Sequence, residues 1–222
     1  VEALERCRVI ARYGIGLDNV DVEAARRRGI AVANVPGYCD AEVGEHALAL
    51  ILDLARGLSL RDRVVREGGW NAKSTSRRVA GTTLGVLGFG GTGRALIRSA
   101  LGLGFREILV WSPHMEAARL DAAFGPAAAA LGAALRPAAL DELLALSDWV
   151  SIHLPLKPET RGFVGARELG LMKPDAALVN VSRGAVVDEE ALVEALASKG
   201  LGGAGLDVFV AEPLPKGSRL RS

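Results

Sequence analysis

Cysteine is scarce in this chain of 222 residues: only Cys7 and Cys39 occur, too few for a disulfide framework, so a reducing cytoplasm is the expected setting. An excess of charge of either sign is missing too. Twenty-seven Lys and Arg against 26 Asp and Glu leave a net charge of +1, and no basic stripe is interleaved with aromatic residues, so no nucleic-acid partner is expected. Long hydrophobic runs are lacking. The longest, residues 47–52, is stopped by Asp53 and Arg56, far short of the roughly 20 residues of a membrane span, so no membrane partner is expected. The first residues are charged from Glu2 onward and have neither the apolar stretch nor the cleavage site of a secretory signal.

What is present is apolar residue and glycine. Half of the chain is hydrophobic, enough to bury a sizeable core in one large domain or one domain plus part of another. Residues 8–13 read as a strand, 22–28 as a helix and 30–35 as a second strand ended by Pro36 and Gly37, a small β/α/β unit. From 41 to 58 apolar residues recur at helical spacing and fill most sides, which predicts a buried helix that also holds His46. Residues 66–82 are polar and glycine-bearing and read as a connector. Strands are then expected near 108–111, 149–153, 177–181 and 203–208 with helices between them, the pattern of a parallel, doubly wound α/β sheet. The alanine-rich stretch 115–140 reads as surface helix and loop.

The most informative segment is residues 83–93, Thr-Leu-Gly-Val-Leu-Gly-Phe-Gly-Gly-Thr-Gly. An apolar strand runs into glycines spaced GxGxxG at Gly88, Gly90 and Gly93, with Gly91 and Thr92 before the last, and a helix follows. Strand, tight turn and helix start form the arrangement in which backbone N–H groups and a helix N-terminus hold a dinucleotide pyrophosphate.

Four segments in fixed order go beyond a generic nucleotide fold: Tyr-Gly-Ile-Gly-Leu-Asp-Asn-Val-Asp (13–21), the glycine turn, Val-Asn-Val-Ser-Arg-Gly-Ala-Val-Val-Asp-Glu-Glu-Ala-Leu (179–192) and Gly-Leu-Asp-Val-Phe-Val-Ala-Glu-Pro (205–213). Together they make the chain resemble the D-isomer-specific 2-hydroxyacid dehydrogenases. The resemblance implies a Rossmann dinucleotide-binding domain at 38–222 and, at 1–37, a remnant of a flavodoxin-like substrate domain. It implies NAD or NADP as cofactor, no metal, a small 2-oxoacid or 2-hydroxyacid substrate such as glyoxylate, hydroxypyruvate or 3-phosphoglycerate, and a homodimer built on the 41–58 helix.

By the same resemblance, Arg183 grips the substrate carboxylate and carbonyl in forked geometry, which a lysine would not match. Glu212 pairs with the family's proton-donating histidine and favours its imidazolium. Ile15 and Gly16 offer backbone amides to the substrate carboxylate. Leu154, Pro155, Val181 and Ser182 line the cofactor cleft, Asp207 lies near the nicotinamide amide, and Ala47 stands where relatives often carry a cofactor-touching threonine. The acid that takes the adenosine ribose 2′-OH is expected nineteen residues after Gly93, where this chain has Ser112; losing that carboxylate leaves NAD and NADP both open, with Ser112, His114 or Arg119 as partners for a 2′-phosphate. The family's proton donor stands in a Pro-His motif beyond Glu-Pro, which is not reached before Ser222, and His153 reads as a cleft wall. A fragment that binds cofactor and turns over slowly or not at all is therefore the expectation. The alternatives are a dinucleotide-sensing corepressor, which the entry to the 41–58 helix faintly resembles, and a cofactor-binding domain without activity.

Overall fold

A computed structural model describes residues 1–70 and 76–221, and the chain divides into two compact units, Val1–Asp40 and Ala41–Ser222. In the first, β1 (Val9–Ala11) pairs in parallel with β2 (Ala31–Ala33), Val9 opposite Ala31, and α1 (Val22–Arg27) makes the crossover. Asp21 starts that helix by accepting the Ala24 N–H at 2.8 Å, and Ala24 and Ala25 are its buried face.

The second unit opens with α2 (Asp40–Arg56) and α3 (Leu58–Arg66). Strands and helices then alternate: β3 (Thr83–Leu87), α4 (Gly91–Ala100), β4 (Glu107–Trp111), α5 (Ala117–Ala130), β5 (Ala134–Pro137), α6 (Leu140–Leu146), β6 (Trp149–Ile152), α7 (Ala166–Leu171), β7 (Ala177–Asn180), α8 (Glu189–Ala197) and β8 (Gly203–Leu206). The six strands of this unit form one parallel sheet in the order β5-β4-β3-β6-β7-β8. The chain enters at β3, runs outward through β4 to β5, then returns to place β6 on the other side of β3. Strand order therefore reverses between β3 and β6, which opens a crevice at their carboxyl ends.

Helices cover both faces, so β3, β6 and β7 are buried along their whole length and are mostly apolar, with Thr83, Ser151 and Asn180 as their polar members. Leu84, Val86, Ile108, Val110 and Val179 pack with Ile51, Ala55, Ile97 and Phe124 on one face; Leu87, Leu109, Val150, Ile152 and Leu178 pack with Leu143, Leu144, Leu169 and Leu192 on the other. Each such Leu or Ile contributes about 1.5–3 kcal/mol by leaving water. The amino edge of the sheet is tied by Asp148, whose carboxylate accepts from the Thr83 N–H at 2.7 Å and from Lys173 at 3.0 Å, and lies 3.4 Å from Arg77. Arg77 also covers the Trp149 ring at 4.9 Å.

The structure departs from the sequence reading in three places. The 41–58 helix ends at Arg56, because Gly57 turns left-handed at φ 62° and a separate helix, α3, follows. Within it Ala47, Ile51 and Ala55 form the buried stripe, while His46 faces outward with half of its side chain accessible. The stretch read as surface helix and loop holds an edge strand, β5, because register with β4 supplies backbone partners that the alanine-rich sequence does not advertise. The connector has no helix or strand at 67–70 or 76–82; residues 71–75 lie outside the described residues. Among the described residues no helix is long and apolar enough to cross a membrane.

Candidate dinucleotide and substrate site

The loops after β3, β4, β6, β7 and β8 leave the carboxyl edge of the sheet, and the glycine turn after β3 borders the β3/β6 crevice. Its three motif glycines do different work. Gly88 has φ +112°, and a Cβ there would lie 2.5 Å from the His153 carbonyl oxygen. Gly93 brings α4 down onto the turn, since a Cβ would stand 2.2 Å from the Gly88 oxygen. Gly90 has no atom within 4 Å of a Cβ, so its side of the turn is open to a ligand. Gly90 also caps α4 without any side-chain acceptor, leaving the first-turn N–H groups of Gly91, Thr92 and Gly93 to face an anion. A tight turn, an open approach and close strand–helix packing are what a dinucleotide pyrophosphate requires of such a loop, and these residues fit one.

On the far side of β3, Ser112 follows β4, and no carboxylate stands at that position. Arg119, on α5, holds its guanidinium 5.8 Å from the Phe89 ring, which belongs to the glycine turn. A cation thus stands beside the glycine turn.

On the other side, β6 ends in His153, Leu154 and Pro155. Leu154 is buried and its Cδ2 lies 3.3 Å from where a Gly88 Cβ would be, so it walls the crevice; Pro155 is exposed. Beyond β7, buried Val181 leads into Ser182 and Arg183. Asn180 organises this turn. Its side-chain oxygen accepts from the Ser182 N–H (3.0 Å) and hydroxyl (2.9 Å), and its amide donates to the Arg183 carbonyl (2.9 Å). Arg183 is half-buried and donates to the Ser182 carbonyl at 2.7 Å.

Gly184 lets the loop after β8 close onto this turn, since a Cβ there would overlap the Phe209 carbonyl carbon at 2.0 Å. Glu189 fastens the same loop by accepting the Val210 N–H at 2.6 Å, and the Glu212 carboxylate accepts the Phe209 N–H at 3.0 Å. Asp207 begins the loop, its N–H bonded to the Asn180 carbonyl (3.1 Å) and its carboxylate 3.2 Å from the His46 ring. With Glu42 and Val43 this pair lines a cavity of about 300 Å³.

The residues expected from sequence therefore gather at one edge for Gly88, Gly90, Gly91, Thr92, Gly93, Ser112, Leu154, Pro155, Val181, Ser182, Arg183, Asp207 and Glu212. Ala47 does not join them: it is wholly buried in the core between α2 and the sheet and presents nothing to a ligand. Ile15 and Gly16 belong to the first unit, in a loop held by Asn34, which donates to the Ile15 carbonyl at 2.7 Å, and by Arg12, which donates to the Gly16 carbonyl. Asn180, Glu189 and His46 were not singled out as site residues in the sequence; only Asn180, a polar residue ending an apolar strand, carried a signal there.

The fold and this edge define a doubly wound dinucleotide-binding protein. Residues 48–222 match the family model of the D-isomer specific 2-hydroxyacid dehydrogenase, NAD binding domain. The chain belongs to the D-isomer specific 2-hydroxyacid dehydrogenase family. It is 43% identical over 220 residues to a glyoxylate reductase of Thermococcus gammatolerans, covering 94% of this chain and 61% of that protein. It is 38% identical over 222 residues to a D-3-phosphoglycerate dehydrogenase of Synechocystis, covering 100% of this chain and 38% of that one. Among solved structures, D-lactate dehydrogenase from Aquifex aeolicus, complexed with NAD and lactic acid, superposes with a TM-score of 0.81 at 30% identity, over 94% of this chain and 60% of that one. The chain thus spans less than two thirds of the length of these relatives.

Proposed function

We propose that this protein binds NAD or NADP on the glycine turn and serves hydride transfer between the nicotinamide and a small 2-oxoacid or D-2-hydroxyacid, as an NAD(P)-dependent D-2-hydroxyacid dehydrogenase. The observation that carries this reading is the open Gly90 face at the sheet's switch point, with Arg183 and Asp207 on the same edge. The bound reduced cofactor supplies the hydride, and the protein supplies position and charge. Arg183 offers a guanidinium fork to the substrate carboxylate and carbonyl oxygen, oriented by a turn that Asn180 fixes. Asp207 would accept from the nicotinamide amide, and Glu212 would pair with the family's proton-donating histidine, which stands beyond the Glu-Pro segment and would protonate the carbonyl oxygen as the hydride arrives.

Glyoxylate is the first substrate to try, given the relatives' names. Ser112 and the Arg119 cation favour tolerance of a 2′-phosphate. A homodimer is supported by α3, which buries none of its residues and leaves Leu58, Leu60 and Val65 exposed. The free Cys7 and Cys39 support a cytoplasmic setting.

Nicotinamide fluorescence, titrated with NADH and NADPH in parallel and followed by addition of glyoxylate, tests the reading. Saturable binding of at least one dinucleotide is expected, perturbed by the 2-oxoacid. Failure of both dinucleotides to bind overturns it.

A further inference from the structure

His153 sits directly across the switch-point crevice from the glycine turn. Its N–H donates to the Leu87 carbonyl at 2.8 Å, extending the β3–β6 pairing, and its own carbonyl abuts Gly88. The imidazole is buried, and burial pushes its pKa down to about 4, so the ring is neutral at physiological pH. A neutral ring is no counter-charge for a phosphate, yet both nitrogens are engaged. Nε2 lies 2.9 Å from the hydroxyl of the wholly buried Ser151, and Nδ1 lies 3.1 Å from the hydroxyl of Thr92.

Thr92 is the second residue of α4, whose first turn lacks any side-chain cap. An uncapped first turn is held only by hydrogen bonds from later residues and frays readily. The bond from His153 reaches across from the end of β6 to the Thr92 hydroxyl and ties that turn down by its side chain, leaving its backbone N–H groups open to a ligand. We infer that Ser151, His153 and Thr92 form a neutral relay that positions the phosphate-facing amides of Thr92 and Gly93, with His153 as the positioning residue for dinucleotide binding. The relay rests on the dinucleotide reading of the turn. His153 touches no ligand in this scheme. It braces the first turn of α4 against the end of β6, so the amides are already aimed when the pyrophosphate arrives.

The test uses the full chain and variants that keep the shape of the turn. Thr92→Val removes the hydroxyl at constant volume, Thr92→Ser retains it, and Ser151→Ala cuts the far end of the relay. Affinity for NADH and for ADP-ribose is read by fluorescence and calorimetry, with competition by adenosine, which has no phosphate, as the control. Thr92→Val should weaken NADH and ADP-ribose by about two- to tenfold, the effect of one hydrogen bond. Ser151→Ala should weaken them less. Thr92→Ser should bind like the wild type, and competition by adenosine should not change in any variant. Wild-type affinity in Thr92→Val, equal weakening in Thr92→Ser, or a parallel fall in adenosine competition would overturn the relay. A wild-type chain that binds neither NADH, NADPH nor ADP-ribose would instead overturn the underlying reading of the turn, and the relay with it.

Discussion

Adding a single methyl group at Gly88 or at Gly90 should separate the folding role of the turn from its binding role. At Gly88 an alanine Cβ would meet the His153 carbonyl oxygen at 2.5 Å and its carbon at 2.8 Å, on backbone with φ +112°. Overpacking against backbone costs about 1–3 kcal/mol. The disfavoured dihedral adds a similar amount. The smaller conformational freedom of the unfolded chain offsets only about 0.4–1 kcal/mol. A net loss of about 2–5 kcal/mol should lower the melting midpoint by roughly 4–20 °C in a domain of this size. At Gly90 the backbone is extended, with φ −78° and ψ −168°, and no atom approaches a Cβ within 4 Å. Gly90→Ala should therefore change stability by less than about 0.5 kcal/mol. The methyl group would nonetheless occupy the face where the pyrophosphate approaches, and NADH affinity should fall about tenfold, which is roughly 1.4 kcal/mol. Thermal unfolding of both variants, beside an NADH titration of Gly90→Ala, decides the matter. If Gly88→Ala melts with the wild type, or Gly90→Ala binds NADH undiminished, the assignment of roles within the turn is wrong.

Three further outcomes are expected. Arg183→Lys should leave NADH affinity within about twofold but weaken glyoxylate binding to the NADH complex about tenfold or more, because a point charge replaces a fork worth about 1.5–3 kcal/mol; fluorescence of the ternary complex reads the difference. Ser112→Asp should discriminate against NADPH relative to NADH by at least about fivefold, since two like charges about 4 Å apart repel by about 1 kcal/mol even in water; parallel titrations check it. Because the folded pKa of His153 is depressed to about 4 while the unfolded value is near 6.5, the unfolded state binds more protons in that window, so stability is complete above pH 6.5 and declines as pH falls toward 4. The loss from this group is about 3 kcal/mol across the window. Denaturant unfolding of the wild type and of His153→Asn should show a pH slope between 6.5 and 4 that is shallower in the variant.

The glycine turn, β4, β6, β7 and the Arg183 segment were legible in the sequence because each rests on local signals: aliphatic and aromatic runs, glycines at fixed offsets, and an arginine just past an apolar strand; β8, Gly-Ala-Gly-Leu, was legible from the Asp-Val-Phe segment that follows it. β5 was hidden because Ala134–Pro137 has almost no strand propensity of its own and is held by its register with β4. The break at Gly57 was masked by apolar residues that continue the helical period on both sides of it. His46 read as buried because its helix is apolar nearly all round, yet the sheet covers only the stripe through Ala47, Ile51 and Ala55. That same stripe takes Ala47 out of the cleft. The hydrogen bond from the Val210 N–H to the Glu189 carboxylate, which fastens the loop after β8, joins segments that only the folded chain brings together.

The glycine turn at the carboxyl edge is where the dinucleotide is proposed to lie. Amide chemical shifts of the isotope-labelled chain, followed during titration with NADH, test it most directly. Saturable shifts are expected at Gly90, Gly91, Thr92 and Gly93, with smaller ones at Leu154 and Ser182, and none at Thr83 or Asp148 on the amino edge. Saturable shifts confined to the amino edge, or none in the glycine turn at saturating NADH, would contradict it.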